Sequence, residues 1–461
     1  MTLRRWWPNL IALGAVVGWL ALVAPAFGGP RKSAVTSPEA DRAAHALEVG
    51  NIKEAVQILS KLLSADPNQP ELLNMLGVAR GKEGDDRVSE KLFQRAADLD
   101  PKFAPAYINL GELYKRENRH DKALAAYEKA AAIGPHDPQV LYNLAILHAE
   151  QREFKPAIAE MESIPSPARP PDYWSVLSQL YISDGNNAAA EDALQHSLTQ
   201  HPDSVETLRH LAGLALKRGD PVRALNYLAS ARQLAPNSPE LLYEFAQVSS
   251  QNHLAKEAVL AMRKAILLDS SRPEFLLELG NALLDTSDYP EALQYFQQYV
   301  EQRPDAPAGQ LNLGWSYYLN HDYKNARQHL KECLRLDPNQ VDAKYHLGMI
   351  AYDQGDDAEA TKWLSQVVSS KPQDARGHWG MGLVDTREQQ YPKALQEFQA
   401  SARLNPDEPK VHYQLSQIDA RLGRLDDAQR ELEQYRQAQK KQEEQVKLGE
   451  SLPFSASPAK P

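Results

Sequence analysis

Cysteine is almost absent: Cys333 stands alone in 461 residues. An internal disulfide framework and any zinc site built on several thiolates are thereby excluded. A basic surplus is missing too. Lys and Arg number 51 against 61 Asp and Glu, a net charge of −10. The chain therefore lacks the positive field with which a general nucleic-acid binder displaces counterions, and no nucleic acid is expected as a partner. Motifs for chemistry are lacking as well. There is no phosphate-binding glycine loop ending in Lys-Ser or Lys-Thr, no His-Glu-x-x-His and no Cys-x-x-Cys. Gly377-His378-Trp379-Gly380-Met381-Gly382 is rich in glycine but lies inside a helical pattern with no strand before it. No enzyme, cofactor or metal is expected. What is present is 43% apolar residues, enough for a core, with 8% aromatics, which sets the chain apart from a disordered acidic polymer.

The first thirty residues differ from the rest. Arg4 and Arg5 precede an apolar run of 15, Leu10 to Ala24, and Ala24-Pro25-Ala26 closes it with small residues. This is the layout of a secretory signal. Fifteen residues fall short of the roughly 20 needed to span a bilayer. Extending the run to residues 6–27, with Trp6 and Trp7 at the interface, makes a marginal membrane anchor. Both readings, a cleaved signal over 1–26 or an uncleaved anchor, carry everything after residue 30 out of the cytoplasm. The expected location is periplasmic or secreted, or anchored at the inner membrane with the folded part outside.

From there on, proline marks a period. Pro67, Pro101 and Pro135 are 34 apart, as are Pro202 and Pro236, and Pro304, Pro338, Pro372 and Pro406, with Ser270 in the missing slot. One step is short: Pro135 to Pro202 is 67. With the third residue after each proline as position 1, position 8 is always small (Gly77, Gly111, Ala145, Gly280, Gly382 among them). Position 20 is also small, Ala in every repeat except for Ser89. Small residues at two fixed sites predict two backbones crossing closely. Large residues surround them at position 7 (Leu110, Leu313) and position 24 (Phe93, Tyr127, Phe296). Positions 4, 7, 8 and 11, and again 20, 24 and 27, have helical spacing. Position 15 is a turn residue in seven repeats, Gly50, Gly84, Asn118, Gly185, Gly219, Gly355 and Gly423, suited to a left-handed helix end. Proline at position 32 closes the second helix.

This pattern resembles the tetratricopeptide repeat family. Repeat 3 carries it in full: Tyr107, Leu110, Gly111, Tyr114, Ala123, Tyr127, Ala130 and Pro135. Twelve repeats are expected, over 36–69, 70–103, 104–137, 138–170, 171–204, 205–238, 239–272, 273–306, 307–340, 341–374, 375–408 and 409–442. A linker (27–35) precedes them, and a helix extension and disordered tail (443–461) follow. The resemblance implies an all-α fold, a right-handed α-solenoid superhelix of helix–turn–helix units. In repeat 4 the run Ile164-Pro165-Ser166-Pro167-Ala168-Arg169-Pro170-Pro171 replaces the end of the second helix, so a joint of reduced burial is expected there. Cys333 at position 27 is read as a buried structural thiol. His378 and His412 share position 4, one period apart, a spacing open to a metal pair but on the inward stripe, which favours packing.

Positions 2, 5, 9 and 12 fall on the opposite side of the first helix. In the family this stripe lines a concave groove that holds an extended peptide or a partner helix. Here it carries Trp315, Tyr318, Tyr345, Met349, Tyr352, Trp379, Leu383 and Tyr413, bordered by Arg376, Arg387, Lys410 and Arg421. Rings on this side either meet a partner or pack against the next repeat's first helix, and one ring can do both. Acidic residues occupy the same stripe earlier, Glu206, Glu240, Glu244, Glu274, Glu278 and Asp285, and again at Asp342 and Asp353. Asn109, Asn143 and Asn312 at position 6 resemble, in part, the asparagines that hold peptide backbone in the O-linked N-acetylglucosamine transferase superhelix. The expected function is a non-catalytic protein-binding scaffold of the cell envelope. The rivals are a carbohydrate-associated subunit of an envelope polysaccharide system and a non-catalytic subunit of an enzyme complex.

Overall fold

The computed structural model describes residues 37–450, with side chains through residue 444. The leader or anchor expected over 1–26, the linker to residue 35 and the tail from 452 lie outside the described residues. Two compact units divide the chain, Met1–Pro202 and Asp203–Pro461. The first holds α1 (Pro38–Glu48), α2 (Ile52–Ala65), α3 (Pro70–Lys82), α4 (Asp86–Leu99), α5 (Ala104–Arg116), α6 (His120–Ile133), α7 (Pro138–Glu150), α8 (Phe154–Glu162), α9 (Tyr173–Asp184) and α10 (Asn187–Gln200), with a 3₁₀ turn at Ser166–Ala168. The second holds α11 (Val205–Lys217), α12 (Pro221–Leu234), α13 (Pro239–Gln251), α14 (Ala255–Leu268), α15 (Pro273–Asp285), α16 (Tyr289–Gln302), α17 (Pro307–Leu319), α18 (Tyr323–Leu336), α19 (Val341–Asp353), α20 (Asp357–Ser370), α21 (Ala375–Arg387), α22 (Tyr391–Leu404), α23 (Pro409–Arg421) and α24 (Leu425–Glu450). Each unit is an all-α solenoid: every helix pair packs on the next pair within it. Among the described residues no helix is long and apolar enough to cross a membrane.

Local chemistry starts and stops these helices. Proline at the first turn, as at Pro70, Pro239, Pro273, Pro307 and Pro409, fixes φ where no N–H is needed. Aspartates cap the second helices: Asp85, Asp220, Asp288, Asp322 and Asp356 each accept from the N–H three residues on. Between the two helices, position 15 is left-handed in all twelve repeats, with φ from +57° to +84°. Six of these residues are glycine. The other six are Asn118, Arg152, His253, Ser287, His321 and Gln389, five of which carry no turn signal in sequence and hold a conformation that costs an L-residue about 1–2 kcal/mol.

Glycine at position 8 serves a narrower purpose than a general close crossing. A Cβ on Gly280 would lie 2.5 Å from the Phe296 ring, and one on Gly111 2.7 Å from Tyr127. Position 8 is the socket into which the position-24 side chain of the same repeat is driven. Cys333 is buried as expected, and burial pushes its thiol up to about 11. Its nucleophilic form is correspondingly scarce.

The proline run of repeat 4 ends α8 after nine residues, where α6 and α10 have fourteen. The expected loss of burial is only local. Met161, Ile164 and Tyr173 are buried in one cluster that links α7, α8 and α9 across the break. Ile164 folds back into the core although the helix has stopped, and the deficit is confined to one side, where a cleft opens.

Gly280→Ala is expected to lower stability by about 1–3 kcal/mol, because the ring of Phe296 cannot retreat. Adding Phe296→Leu should recover much of the loss, since repeats 1 and 6 pair alanine with leucine at these positions, Ala43 with Leu59 and Ala212 with Leu228. Gly213, mid-helix in α11 with open space around its Cβ position, should gain up to about 1 kcal/mol on Gly213→Ala. Urea denaturation of the three variants checks both signs.

Candidate functional site

The stripe singled out in sequence lies within the second unit, on α17, α19, α21 and α23. First helices of neighbouring repeats touch there, α17 with α19 and α19 with α21. That contact decides the fate of several side chains. Met349 and Leu383, expected on the ligand-facing stripe, are buried in the seam between first helices. Tyr345, Tyr352 and Trp379 are half buried against the same cluster. The Trp379 indole N–H is shut off from solvent and meets no acceptor.

The rings are stacked on one another. Trp315 lies 4.9 Å from Tyr318 and 4.0 Å from His346, nearly parallel to both. The Tyr318 hydroxyl donates to Asp353 at 2.5 Å. Tyr345 stands edge-on to His346, and burial pushes its phenol up to about 12. Tyr413 is the ring left most open, 45% exposed, with Tyr435 alongside.

The bordering cations are unequal. Arg376 pairs with Asp342 at 2.6 Å and with Asp374 at 2.7 Å, and lies over the Tyr345 ring. Arg387 faces Asp357 at 2.9 Å and covers the Tyr352 ring at 3.6 Å. Arg421 donates to the Tyr391 hydroxyl at 2.8 Å, and Lys410 is exposed. Two of the four bases are therefore already neutralised by carboxylates of this chain.

The asparagines at position 6 bond within the protein. Asn109 donates to Asn74 and Asn312 donates to Asn281, each at 2.8 Å, and Asn143 accepts from Lys115 and donates to Glu112. His378 and His412 are clips, not a pair. Each sets Nδ1 2.7 Å from a glutamate of its own second helix, Glu397 or Glu431, and Nε2 near a carbonyl of the preceding linker, Pro372 or Pro406. Gln310 at the same position does the same job between Pro304 and His329. On the acidic stretch, Arg272 pairs with Glu240 and Glu274, and Arg209 holds Glu244. Burial pushes Glu278 and Asp285 up.

Family models described as tetratricopeptide repeat match residues 116–180, 181–243, 317–379 and 386–450, and a second such model matches 74–138 and 243–307. The chain belongs to the tetratricopeptide repeat family. Among curated proteins, it is 23% identical over 206 residues to human protein O-mannosyl-transferase TMTC1, covering 43% of this chain and 19% of that one. It is 34% identical over 86 residues to human TMTC3, 19% and 9% of the two chains. Cellulose synthase operon protein C of Pseudomonas fluorescens is 25% identical over 191 residues, 41% and 13%. The chain thus spans less than a fifth of these relatives. Solved structures similar in fold include yeast Tom70, 14% identical with TM-score 0.43 over 90% of this chain and 95% of that one. A repeat protein of Cytophaga hutchinsonii is 16% identical with TM-score 0.46, over 50% and 96%.

The tetratricopeptide seam carries a pH dependence. Burial lowers His346 from 6.5 to about 3, with Asp342 opposing the shift and Arg376 adding to it. His210 and His329 are lowered as well, again by burial. The unfolded chain therefore binds protons below 6.5 that the folded chain refuses, so stability falls as pH drops through that value. The melting temperature should fall between pH 7.5 and 5, with His346 contributing at most about 1.4 kcal/mol per pH unit. In His346→Phe the slope should be shallower.

Proposed function

We propose that the chain is a non-catalytic scaffold or adaptor of the cell envelope. It binds an extended peptide or a helix of a partner protein along the first-helix stripe of repeats 9 to 12. The observation that carries this reading is the surface of that stripe: Trp315, Tyr318, Tyr345, Tyr352 and Trp379 only half buried, and Tyr413 open to solvent beside exposed Lys410 and Arg421. Stacked rings are already ordered, so a partner that covers them costs little side-chain entropy. With Arg376 and Arg387 paired to aspartates, an acidic ligand end meets Lys410 and Arg421. Export rests on Arg4, Arg5 and the apolar run with its small-residue end, whether residues 1–26 are removed or residues 6–27 stay as an anchor.

A second reading is favoured by one observation, the similarity to cellulose synthase operon protein C: a carbohydrate-associated subunit of an envelope polysaccharide system. The transferase names of the TMTC relatives belong to proteins of which this chain matches less than a fifth.

In-cell crosslinking followed by mass spectrometry separates the readings, since a protein partner supports the first and capture of glycan alone the second. Tyr413→Ala combined with Lys410→Ala should leave the melting temperature unchanged and weaken the partner about thirtyfold. Trp379→Ala should instead cost about 2 kcal/mol or more of stability, as a half-buried ring in the seam. Full affinity in the Tyr413/Lys410 variant would exclude this end of the stripe. A reporter active only outside the cytoplasm, fused after residue 461, should be active; its silence, with the protein in the cytosol, would sink the export reading.

A further inference from the structure

The polar clips of the second unit differ in the protons they need. In repeat 9 the clip is neutral. The Gln310 amide N–H donates to the Pro304 carbonyl at 2.9 Å, and its amide oxygen accepts from Nδ1–H of His329, 2.8 Å away. Burial lowers His329, and a single ring proton is all this clip requires.

Repeats 11 and 12 put histidine where repeat 9 has glutamine. His412 Nδ1 lies 2.7 Å from Glu431, and its Nε2 lies 2.9 Å from the Pro406 carbonyl. His378 repeats the arrangement with Glu397 at 2.7 Å and the Pro372 carbonyl at 3.2 Å. A carbonyl only accepts, so Nε2 must carry a hydrogen. A carboxylate and a bare Nδ1 both accept, so one more hydrogen must lie between them. Each histidine–glutamate pair therefore holds two protons when the clip is closed, whichever partner keeps the shared one. A neutral imidazole beside an ionised carboxylate supplies only one. Water has little room to stand in, since the side chains of His412 and His378 are 9% and 15% exposed.

The surrounding charges are mostly committed. In repeat 11, Asp385 of α21 interacts with Glu397, Lys393 and Glu388, and Asp374 of the linker is taken by Arg376 and Lys371. In repeat 12, Asp419 of α23 interacts with Arg424, Asp427, Glu431 and Arg430, and Asp407 of the linker is taken by Lys441. From the packed helices before them, Asp342 of α19 holds Arg376, Asp357 of α20 holds Arg387, and Arg403 of α22 is exposed. Burial pushes Asp385 and Asp419 up, so the inward stripe of these two repeats retains protons.

We propose that His378 and His412 form a proton-operated latch on the last two repeats. Each clip is closed while its pair holds two protons and lets go of the linker as rising pH removes one. The linker side yields because the bond to the carboxylate is charge-assisted and the stronger of the two. Nε2 then turns a lone pair towards those of the carbonyl. The closed clip binds a proton that the unfolded chain gives up between roughly pH 5 and 8, so its contribution is present at low pH and lost as pH rises. The sign is opposite to that of His346, and the effect is local to repeats 11 and 12. His412 stands between Lys410 and Tyr413 on α23, so release reaches the open end of the first-helix stripe. That consequence rests on the binding reading above, whereas the latch itself does not.

Hydrogen exchange read by mass spectrometry tests the latch on the full chain without a partner, at pH 6 and pH 8.5, after correction for the intrinsic pH dependence of exchange. Segments 374–382 and 408–416 should open about tenfold more often at pH 8.5, the worth of one hydrogen bond, while 306–314 of repeat 9 stays unchanged. Glu431→Gln lets a neutral imidazole close the clip, because the amide N–H donates to Nδ1. Repeat 12 should then become indifferent to pH while repeat 11 keeps its response. His412→Gln combined with Glu431→His copies the repeat 9 clip and should do the same. Exchange that ignores pH in the unaltered chain, opening at acid instead of alkaline pH, or a Glu431→Gln variant that responds as before would each overturn the proposal. A latch that behaves as expected in a chain whose stripe binds no partner would count against the binding reading alone.

Discussion

The repeat depends on one steric match inside each helix pair, the side chain at position 24 seated against position 8. Where position 8 is glycine, position 24 is Phe93, Tyr127, Phe296, Phe398, Leu330 or Leu364. Where it is alanine or serine, position 24 is Leu59, Met161, Leu194, Leu228, Met262 or Leu432. All four aromatic rings sit opposite glycine, and none opposite a residue with a Cβ. The pairing runs within one chain, repeat against repeat, and follows side-chain volume. In repeat 2, where position 20 is Ser89 and not alanine, its hydroxyl donates to the carbonyl of Gly77 at 2.8 Å and satisfies itself within the crossing. A core packed to crystal-like density leaves no slack for a misfit of one methyl, which is why the match recurs so strictly.

This constraint was visible in the sequence as two columns of small residues, but only half understood there. Small residues at 8 and 20 read naturally as backbone meeting backbone, whereas the nearest neighbour of a position-8 glycine is the position-24 side chain. The left-handed turn shows the same partial legibility. Glycine and Asn118 announce it in seven repeats. Arg152, His253, Ser287, His321 and Gln389 adopt it anyway, because the helices on either side are already committed by their packing and the turn has no other way to close. Local propensity marks the turn where it is present, and tertiary packing enforces it where it is not.

The stripe of aromatics was legible as a location and not as a state. Helical periodicity places Trp315, Tyr345 and Trp379 away from the hairpin's own core, and nothing in the periodicity says how closely the next first helix approaches. That approach buries Met349 and Leu383, stacks Trp315 on His346 and brings Asp342 to Arg376, whereas Arg376 also meets Asp374 two residues before it and Arg387 meets Asp357 of the preceding repeat's second helix. Ion pairs between residues about 34 positions apart are a property of the stack. They can be found in sequence only by asking which charges share a stripe in adjacent repeats, as Asp342 and Arg376 do at position 2.

A solenoid of near-identical repeats presents near-identical surfaces, so chemical individuality has to come from departures. Repeat 4 is the largest departure here, and its consequences are unequal on its two faces. Towards the core Ile164 replaces the lost helical turn, and nearest-neighbour packing, the quantity on which cooperativity in such a stack depends, is kept. Towards solvent only a 3₁₀ turn and Arg169, which lies over Tyr173 and Trp174, take its place, and the inward stripe bearing Trp174 and Tyr181 is left partly open. The contact on which the stack's cooperativity depends is thus kept at this joint by Ile164, a residue outside any helix.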